Sequence, residues 1–548
     1  MSERLLGIET EYAITAVTPN GASLDRPMLV TRVVDLARKR LCHLPDSGGH
    51  GLFIGNGSRF YIDSGWHPEL STPECSNPWD VTRYTLAGEH ILDGLIQEVE
   101  KEYADGTRVL CFRCNVDYSG ANTTWGCHES YLHRAKPAVF PAQIIPHLVS
   151  RVIYTGAGGF NSLSSGLEFT VSPRAPHLEK EISNDSTCNR GIFHTKDESL
   201  SGKGYHRLHI LCGESLSSQI GTFLKLSTTA LVVCMIEAGL RPGETVRLRS
   251  PLQAMRAIAS DSKCKVLVEL ANGQWKSGIS IQRHYLTKAE DHLHDSFMPV
   301  WASAACTRWR AMLDLLEEKG PTSAACTLDW AIKHALYTHQ ASRRGFTQDS
   351  ISGWNRIVTR LRDALQRTPY RGKPVSVDLL LGASSPIRNE VERLTPSLRA
   401  HGLTWDLLND FLMLRQELFE IDMKFGQLGD QSIFTALDLG GALSHHMPGV
   451  DRIEDAVTAP PFNGRARLRG EIIHRLSGNN GRYLCDWQAI WDQVEHRVLD
   501  LSDPFSTEER WRNLSPANQQ TLLFELFRRR FPSSRVRSMD RPNEDPQL

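Results

Sequence analysis

Two hydrophobic periodicities divide the sequence of 548 residues into unlike parts, and this division constrains the fold most strongly. Up to about residue 215, stretches such as RLLGIETEYAIT (4–15) alternate with a period of two, as half-buried strands do. From about 251 to 440 the spacing is mainly helical, as in the stretch 405–428. Early strands followed by segregated helices predict an α+β fold with an antiparallel or mixed sheet.

Length and charge narrow the class of protein. A chain of this length predicts roughly two to four domains, or one large domain with an appendage. The net charge of −1 gives no reason to expect a nucleic acid or an anionic membrane as partner. The charged start MSERLLG lacks the apolar core of a signal peptide, and the most apolar stretch (228–239) is too short to span a bilayer. We therefore expect a cytoplasmic protein.

The twelve cysteines show no regular framework, which is typical of reduced thiols. Cys111 and Cys114 have CxxC spacing, but no second CxxC completes a set of four zinc ligands. Structural burial is the favoured interpretation of this pair.

Polar residues are densest in GSRFYIDSGWHPELSTPE, residues 57–74. In a strand, Arg59, Tyr61 and Asp63 share one face, and Phe60 and Ile62 take the other. A face with a cation, a phenol and a carboxylate is costly to bury without partners. It is either a solvated sheet face with an Arg–Asp pair or one wall of a cleft.

The first strand has the same property, because Glu9 and Glu11 fall two residues apart and project to one side. Two negative charges at this distance repel each other, so the face is either exposed to solvent or bears a positive group. Carboxylates without compensating lysines favour Mg²⁺ or Mn²⁺, which prefer oxygen ligands. Arginine among them favours phosphate.

Other stretches carry the same residue types. Residues 115–131 contain Asp117, His128 and Glu129, and Arg207 shares a strand face with His209. In the stretch 464–471 the arginines alternate, so an extended chain would place them on one face; they are Arg465, Arg467 and Arg469. Each signal alone is weak, since a strand histidine or an arginine run is usually structural or solvated. Together they predict an ATP–metal site on a sheet, although the P-loop and dinucleotide-binding glycine motifs are missing.

Several motifs in order resemble one enzyme family: GIETEY, RFYIDSGWHPELSTPEC, AGEHIL, GCHESY, RLHIL, FLKLSTTALVV and RARLRGE. They are similar to those of the Pup ligase and Pup deamidase/depupylase family. The resemblance runs from residue 7 to about 500. It implies a glutamine-synthetase-like (carboxylate–amine ligase) fold with a curved antiparallel sheet that binds ATP and Mg²⁺.

The resemblance also implies roles for particular residues. Asp63 would be the catalytic base. The implied metal ligands are Glu9, Tyr61 and Glu69, with Glu11 and His209 as further candidates. The implied nucleotide contacts are Arg59, Thr72, Arg207, Arg465, Arg467, Arg469 and Trp487.

The family contains two chemistries. Deamidases open on a GTEVEYG-like sequence and carry a long insertion before the FYID strand, whereas one predicted helix separates Glu9 from that strand here. The ligase branch is therefore favoured, and with it the joining of a Pup-like modifier's carboxy-terminal glutamate to lysines of target proteins. The deamidase/depupylase is the alternative. A small-molecule carboxylate–amine ligase and a non-catalytic binding protein are more distant ones.

The sequence departs from the family pattern at two places. Lys196 occupies a position in HTKDE (194–198) where arginine is usual, and a helical insertion is expected at about 341–410. We expect a catalytic domain at 1–470 and a small carboxy-terminal domain at 471–531, with helices near 486–500 and 515–530. A disordered tail is expected at 532–548.

Overall fold

The computed structural model describes residues 4–63, 65–120, 123–184, 189–194, 204–366, 385–479 and 481–514. Strands dominate the first part and helices follow, so the α+β class is confirmed. Lys196, the helix expected at 515–530 and the tail at 532–548 lie outside the described residues.

The strands carry most of the polar residues singled out above. They are β1 Leu6–Glu11, β2 Ala13–Val17, β3 His43–Pro45, β4 Gly51–Ile54, β5 Arg59–Ile62, β6 Pro68–Ser71, β7 Arg108–Phe112, β8 Cys127–His133, β9 Gly159–Phe160, β10 Phe169–Thr170, β11 Lys180–Ser183, β12 Gly191–His194, β13 His206–Ile210, β14 Leu267–Glu269, β15 Trp275–Ser277, β16 Tyr483–Cys485, β17 Ala489–Asp492, β18 Arg497–Asp500 and β19 Trp511–Asn513.

The helices begin where the sequence supplies caps, as at Asn77, whose side chain accepts a hydrogen bond from Asp80 N before Pro78. They are α1 Arg26–Arg40, α2 Pro78–Lys101, α3 Phe140–Ser150, α4 Val152–Thr155, α5 Gln219–Glu237, α6 Pro251–Ala259, α7 Gly278–Asp291, α8 Ala302–Asp314, α9 Asp329–Arg343, α10 Gln348–Leu365, α11 Ser385–Ala400, α12 Leu408–Phe425, α13 Ile433–Leu439, α14 Ile453–Thr458 and α15 Gly464–Leu476.

A nine-stranded sheet organises the fold, in the order β11-β12-β13-β8-β1-β6-β5-β4-β3. Its neighbours are antiparallel except for the edge pair β11 and β12, which is parallel. The sheet is therefore mixed, one of the two forms that the periodicities predicted, and the antiparallel sheet implied by the resemblance does not extend to this edge. Residue alternation shows which face a side chain takes but carries no information on the direction of the neighbouring strand.

One side of this sheet is the main hydrophobic core. Leu6, Ile8, Phe60 and Leu70 are buried on it, as the alternation predicted. Helix α5 packs there and is long and apolar enough to cross a membrane by composition, but its apolar stretch is wholly buried inside the protein. The small sheet of β2 and β7 continues the packing.

The CxxC pair belongs to the packed interior. Cys111 and Cys114 are both buried as free thiols beside apolar neighbours. Burial raises the pKa of each thiol. The structural interpretation of this pair is therefore confirmed.

In the described residues 251–366 and 385–440, the expected helical character is confirmed, interrupted by the short β14–β15 hairpin. Within it, α10 and α11 pack against each other, and Trp354 of α10 stacks on Phe411 of α12. This separate apolar cluster reaches β9 through Phe160. The described helices α10, α11 and α12 therefore share an apolar cluster separate from the main core.

The carboxy-terminal part differs from the expectation. The helix predicted at 486–500 is wrong, because β17 and β18 form a hairpin there within a four-stranded sheet, β16-β17-β18-β19. Two apolar four-residue runs separated by a turn fit a short helix and a hairpin equally well. Helix α15 packs onto this sheet and onto β3 and β4, so a boundary at 470 would cut through the helix.

An ion-pair cluster fastens α15 to the central sheet. Glu74, just after β6, binds the guanidinium groups of Arg465 at 2.6 Å and Arg469 at 2.5 Å. Arg469 also donates to Gly57 O at 2.8 Å. Burial opposes ionisation of Glu74, but the two arginines lower its pKa to about 2.

This cluster predicts a pH-dependent stability. A carboxyl with a pKa of about 2 when folded and 4.5 when unfolded stabilises the protein by about 3 kcal/mol once pH exceeds both values. The contribution is lost as pH falls from about 5 towards 2. Urea unfolding of wild type and Glu74→Gln from pH 7 to 2.5 measures it. The free energy of unfolding of the variant should be lower at pH 7 and fall less on acidification. Parallel pH profiles would contradict the account.

Candidate active site

The register of the strands collects the predicted residues on the side of the sheet opposite the main core. Glu11 pairs with Glu69, and Glu69 pairs with Tyr61. One row further along, Glu9 lies opposite both Ser71 and His128. We call this side the site face; it carries Glu9, Glu11, Arg59, Tyr61, Glu69, Ser71, His128, Ser130, Arg207 and His209.

Three acids on neighbouring strands form a carboxylate cluster: Glu9, Glu11 and Glu69. Glu69 is only 5% exposed. Burial raises its pKa well above the usual value, and the charges of Glu9 and Glu11 add to the effect. Repulsion among these acids therefore favours a positive charge bound at the cluster.

Histidines complete the donor set around the cluster. One oxygen or nitrogen from each of Glu9, His128 and His209 lies within 4.8 Å of the others, and the same holds for Glu11, Glu69 and His128. Burial, followed by the charges of His209 and Arg174, lowers the pKa of His128 well below its usual value, so its ring is neutral at pH 7. Carboxylate oxygens with neutral imidazole fit a divalent cation such as Mg²⁺ or Mn²⁺.

Tyr61 contributes a neutral phenol rather than an anion. Burial raises its pKa well above the usual value, with the charges of Glu69 and Glu9 acting in the same direction. Tyr61 lies opposite Glu69 across β5 and β6, and the Arg59 guanidinium carbon lies 4.1 Å from the centre of its ring. Its phenol oxygen can therefore accompany Glu69 as a metal ligand.

The two arginines of the site face are held by acids. Arg207 donates to Glu9 Oε1 at 2.8 Å and to Ser130 Oγ at 3.0 Å. Arg59 donates to Asp46 Oδ2 at 2.5 Å through its terminal nitrogen. Both guanidinium groups are fixed beside the carboxylate cluster, where they can meet an anion.

Glu11 has contacts of its own at the end of β1. Its Oε2 accepts a hydrogen bond from Gly126 N at 2.8 Å. Burial raises its pKa, while the charge of the buried Arg174 opposes this. Arg174 donates to Leu211 O at 3.1 Å, but its Nε is buried without a hydrogen-bond partner.

Asp63 follows β5 in a tight loop. Its Oδ1 accepts hydrogen bonds from Gly65 N and His67 N, both at 2.8 Å, and its Oδ2 lies 3.3 Å from His67 Nδ1. Burial opposes these contacts, but together they lower the pKa of Asp63. One donor atom from each of Asp63, His67 and Glu11 lies within 4.8 Å of the others. An ionised carboxylate is thus held beside the carboxylate cluster.

A pocket opens next to these residues and extends to the carboxy-terminal part. Thr72 lines it and accepts a hydrogen bond from Ile8 N at 3.1 Å through Oγ1. Other polar or aromatic lining residues are Glu9, Arg207, Arg465 and Trp487. Its position between the carboxylate cluster and an indole suits a nucleotide.

The arginine run lies on helix α15 and not in an extended chain, so its three arginines do not share one face. Residues two apart on a helix do not face each other, so Arg467 points away from Arg465 and Arg469. Arg467 pairs with Glu471 at 2.7 Å and is 45% exposed. Near the other two, the Trp487 ring lies 4.8 Å from the Arg469 guanidinium carbon and 5.1 Å from Phe53.

The sequence analysis missed Arg174 and Asp46, and it gave Glu74 no role. Arg174 precedes a 3₁₀ turn in SPRAPH, and no periodic pattern surrounds it. Asp46 and Glu74 lie outside the strands, so alternation gives no information about them. The need of the predicted arginines for an acidic partner is the only feature of the sequence that points to Asp46 and Glu74.

The chain can now be compared with known proteins. The model of the Pup-ligase protein family matches residues 4–355 and 398–491. Pup–protein ligase of Paenarthrobacter aurescens (strain TC1) is 29% identical over 525 residues, covering 93% of this chain and 98% of that protein. The ligase of Mycobacterium leprae (strain TN) is 28% identical over 527 residues, covering 94% and 99%.

Solved structures agree on the fold. A complex between the prokaryotic ubiquitin-like protein Pup and its ligase PafA gives a TM-score of 0.70 at 22% identity, covering 99% of both chains. PafA in complex with ADP gives 0.64 at 23% identity, covering 91% of this chain and 94% of that one. The family model spans most of the chain, including every strand of the site face. The chain belongs to the Pup-ligase protein family.

Proposed function

We propose that this protein is an ATP-dependent ligase that joins the carboxy-terminal glutamate γ-carboxylate of a Pup-like modifier to lysines of target proteins. The observation that carries this is the ionised Asp63 carboxylate beside the carboxylate cluster of Glu9, Glu11 and Glu69. Full-length similarity to Pup–protein ligases supports it, as does the likeness to ADP-bound PafA. The cytoplasmic location expected from the sequence is part of the proposal.

The fold assignment and the metal are finer parts of the proposal. The antiparallel core of the sheet, with its polar site face, supports a glutamine-synthetase-like arrangement. Glu9, Glu69 and the neutral oxygen of Tyr61 would hold Mg²⁺, with Glu11, His128 and His209 adjacent. When bound, Mg²⁺ would neutralise charge on the transferring phosphoryl group.

The nucleotide contacts follow from the pocket. The pocket is lined by Thr72, Arg207, Arg465 and Trp487. Arg59 lies nearby on β5, opposite Ser71 of β6. Arg469 would act by holding Trp487 and Glu74. Arg467 is left out of the proposed site, because it pairs with Glu471 on the opposite side of α15.

The reaction proceeds in two steps. In the first, the γ-carboxylate of the modifier attacks the terminal phosphorus of ATP, and ADP leaves with formation of a γ-glutamyl phosphate. Arg59 and Arg207 would stabilise the charge of the phosphoryl group. In the second, a lysine amine attacks the acyl carbon and phosphate leaves, which completes the isopeptide bond.

Asp63 would accept the proton that the lysine must lose in the second step. A lysine of pKa about 10.4 is almost entirely charged at pH 7 and cannot attack until it loses a proton. The lowered pKa of Asp63 keeps its carboxylate ionised, so it can bind the ammonium and accept the proton during attack. The hydrogen bonds from Gly65 and His67 fix its direction.

The deamidase alternative has less support. Between β1 and β5 the described chain contains only β2, α1, β3 and β4 with short connections, which leaves no room for a long loop before β5. The curated relatives reported above are named ligases. We therefore propose bond formation as the principal activity.

The domain organisation is also a proposal. The family model does not match residues 356–397, a segment inside the insertion predicted at 341–410. The separate core of α10, α11 and α12 supports an addition to the catalytic domain. We propose that the small carboxy-terminal unit begins at α15 rather than at 471, because α15 packs on β16–β18.

The function is tested by incubating the protein with ATP, Mg²⁺, a Pup-like modifier ending in glutamate and a cell lysate. Mass spectrometry should find lysines bearing the modifier, and ADP should form in proportion to conjugate. Release of modifier from a ready-made conjugate without new adducts would instead indicate the deamidase.

Asp63→Asn tests the base directly. The variant should still bind ATP and phosphorylate the modifier, but conjugation to lysine should fall about 10²- to 10⁴-fold. Hydroxylamine, which is uncharged at neutral pH and needs no base to lose a proton first, should still trap the acyl phosphate as a hydroxamate. Asp291→Asn, on the exposed end of α7, is the matched control. Lysine conjugation by Asp63→Asn at the wild-type rate would remove Asp63 from the mechanism.

A further inference from the structure

Trp66 has an unusual conformation at the edge of the proposed active site. It lies in the connection 63–67 between β5 and β6, with φ of +60°. This left-handed region suits glycine or asparagine, and a bulky side chain there is an outlier. The side chain is also 44% exposed. Sterics and hydration thus both disfavour tryptophan at this position.

The loop does not depend on the indole for its structure. Trp66 N donates to Asp63 O at 3.2 Å, and the Asp63 carboxylate binds Gly65 N and His67 N. In the part of the chain that the structure describes, the indole makes no hydrogen bond and stacks on no ring. Strain retained at a functional site is a reason to look for a function.

The chemistry around the loop identifies what the indole can meet. Asp63 and Glu11 present carboxylates with donor atoms within 4.8 Å of each other and of His67, a setting that attracts a cation. An aromatic ring attracts an ammonium group and also covers apolar methylenes. A lysine side chain carries both parts.

We propose that Trp66 binds the acceptor lysine, packing on its methylenes while its ammonium reaches Asp63. This inference rests on the proposed ligase function and deepens it. Trp66 then determines specificity for an amine on an aliphatic stem rather than for any amine. Contact with the modifier is the competing role, and the test separates the two.

The test compares two acceptors of the acyl phosphate. Free lysine has the stem, whereas hydroxylamine lacks it; each reacts at the acyl carbon and releases phosphate. The measured quantity is the ratio of kcat/KM for lysine to kcat/KM for hydroxylamine. The variants are Trp66→Gly, which relieves the positive φ, and Trp66→Phe, which keeps a ring. Trp275→Ala, at a 59% exposed tryptophan of the β14–β15 hairpin, is the control.

Trp66→Gly should lower this ratio about tenfold, without lowering the Tm, and Trp66→Phe should restore most of it. Trp275→Ala should leave the ratio at the wild-type value. An unchanged ratio in Trp66→Gly overturns the inference. If the KM for the modifier also rises in that variant, Trp66 contacts the modifier instead. If wild type forms neither hydroxamate nor modifier-dependent ADP, the proposed function fails, and the role of Trp66 fails with it.

Discussion

Electrostatic repulsion among Glu9, Glu11 and Glu69 is the constraint on which the site depends. The register of β1 and β6 leaves these acids on one face, and burial of Glu69 prevents water from screening them. The surrounding groups compensate only in part. Arg207 binds Glu9, and the charge of the buried Arg174 acts on Glu11. In the proposed site, a divalent cation would supply the remaining positive charge.

The rest of the molecule keeps that face in place. The opposite side of the sheet is packed on helices, with α2 against β1 and α5 against the neighbouring β8, so the strands cannot shift register without exposing apolar residues. At the other end, Glu74 ties Arg465 and Arg469 to the sheet and brings Trp487 to the pocket. The carboxy-terminal unit is therefore part of the site, although it lies more than 380 positions from Glu74 in sequence.

Much of the site was predictable because strand alternation is a local property. Side chains two residues apart on a strand share a face, and the strand pairing confirms this for three predicted pairs. They are Glu9 with Glu11, Arg59 with Tyr61, and Arg207 with His209. Which strands become neighbours is not local, so the approach of His128 to Glu9 could not be read from the sequence alone. The α+β class followed from the two periodicities, but the direction of β11 did not.

The failures have physical causes as well. Arg465, Arg467 and Arg469 would share a face only in an extended chain, and α15 separates the middle arginine from the other two. The hairpin at β17 and β18 is short, and its apolar runs carry no period long enough to exclude a helix. Arg174 is isolated in sequence, and only the tertiary structure brings its charge to Glu11.

The central claim is that the carboxylate cluster binds the divalent ion that accompanies ATP. A crystal structure with Mn²⁺ and a non-hydrolysable ATP analogue tests this directly, because anomalous scattering locates the ion independently of the protein density. The account predicts Mn²⁺ bound to Glu9 and Glu69, with the nucleotide in the adjoining pocket. Nucleotide in the pocket with no Mn²⁺ at the cluster, or Mn²⁺ only at the separate group of Asp438, His445 and His446, would contradict it.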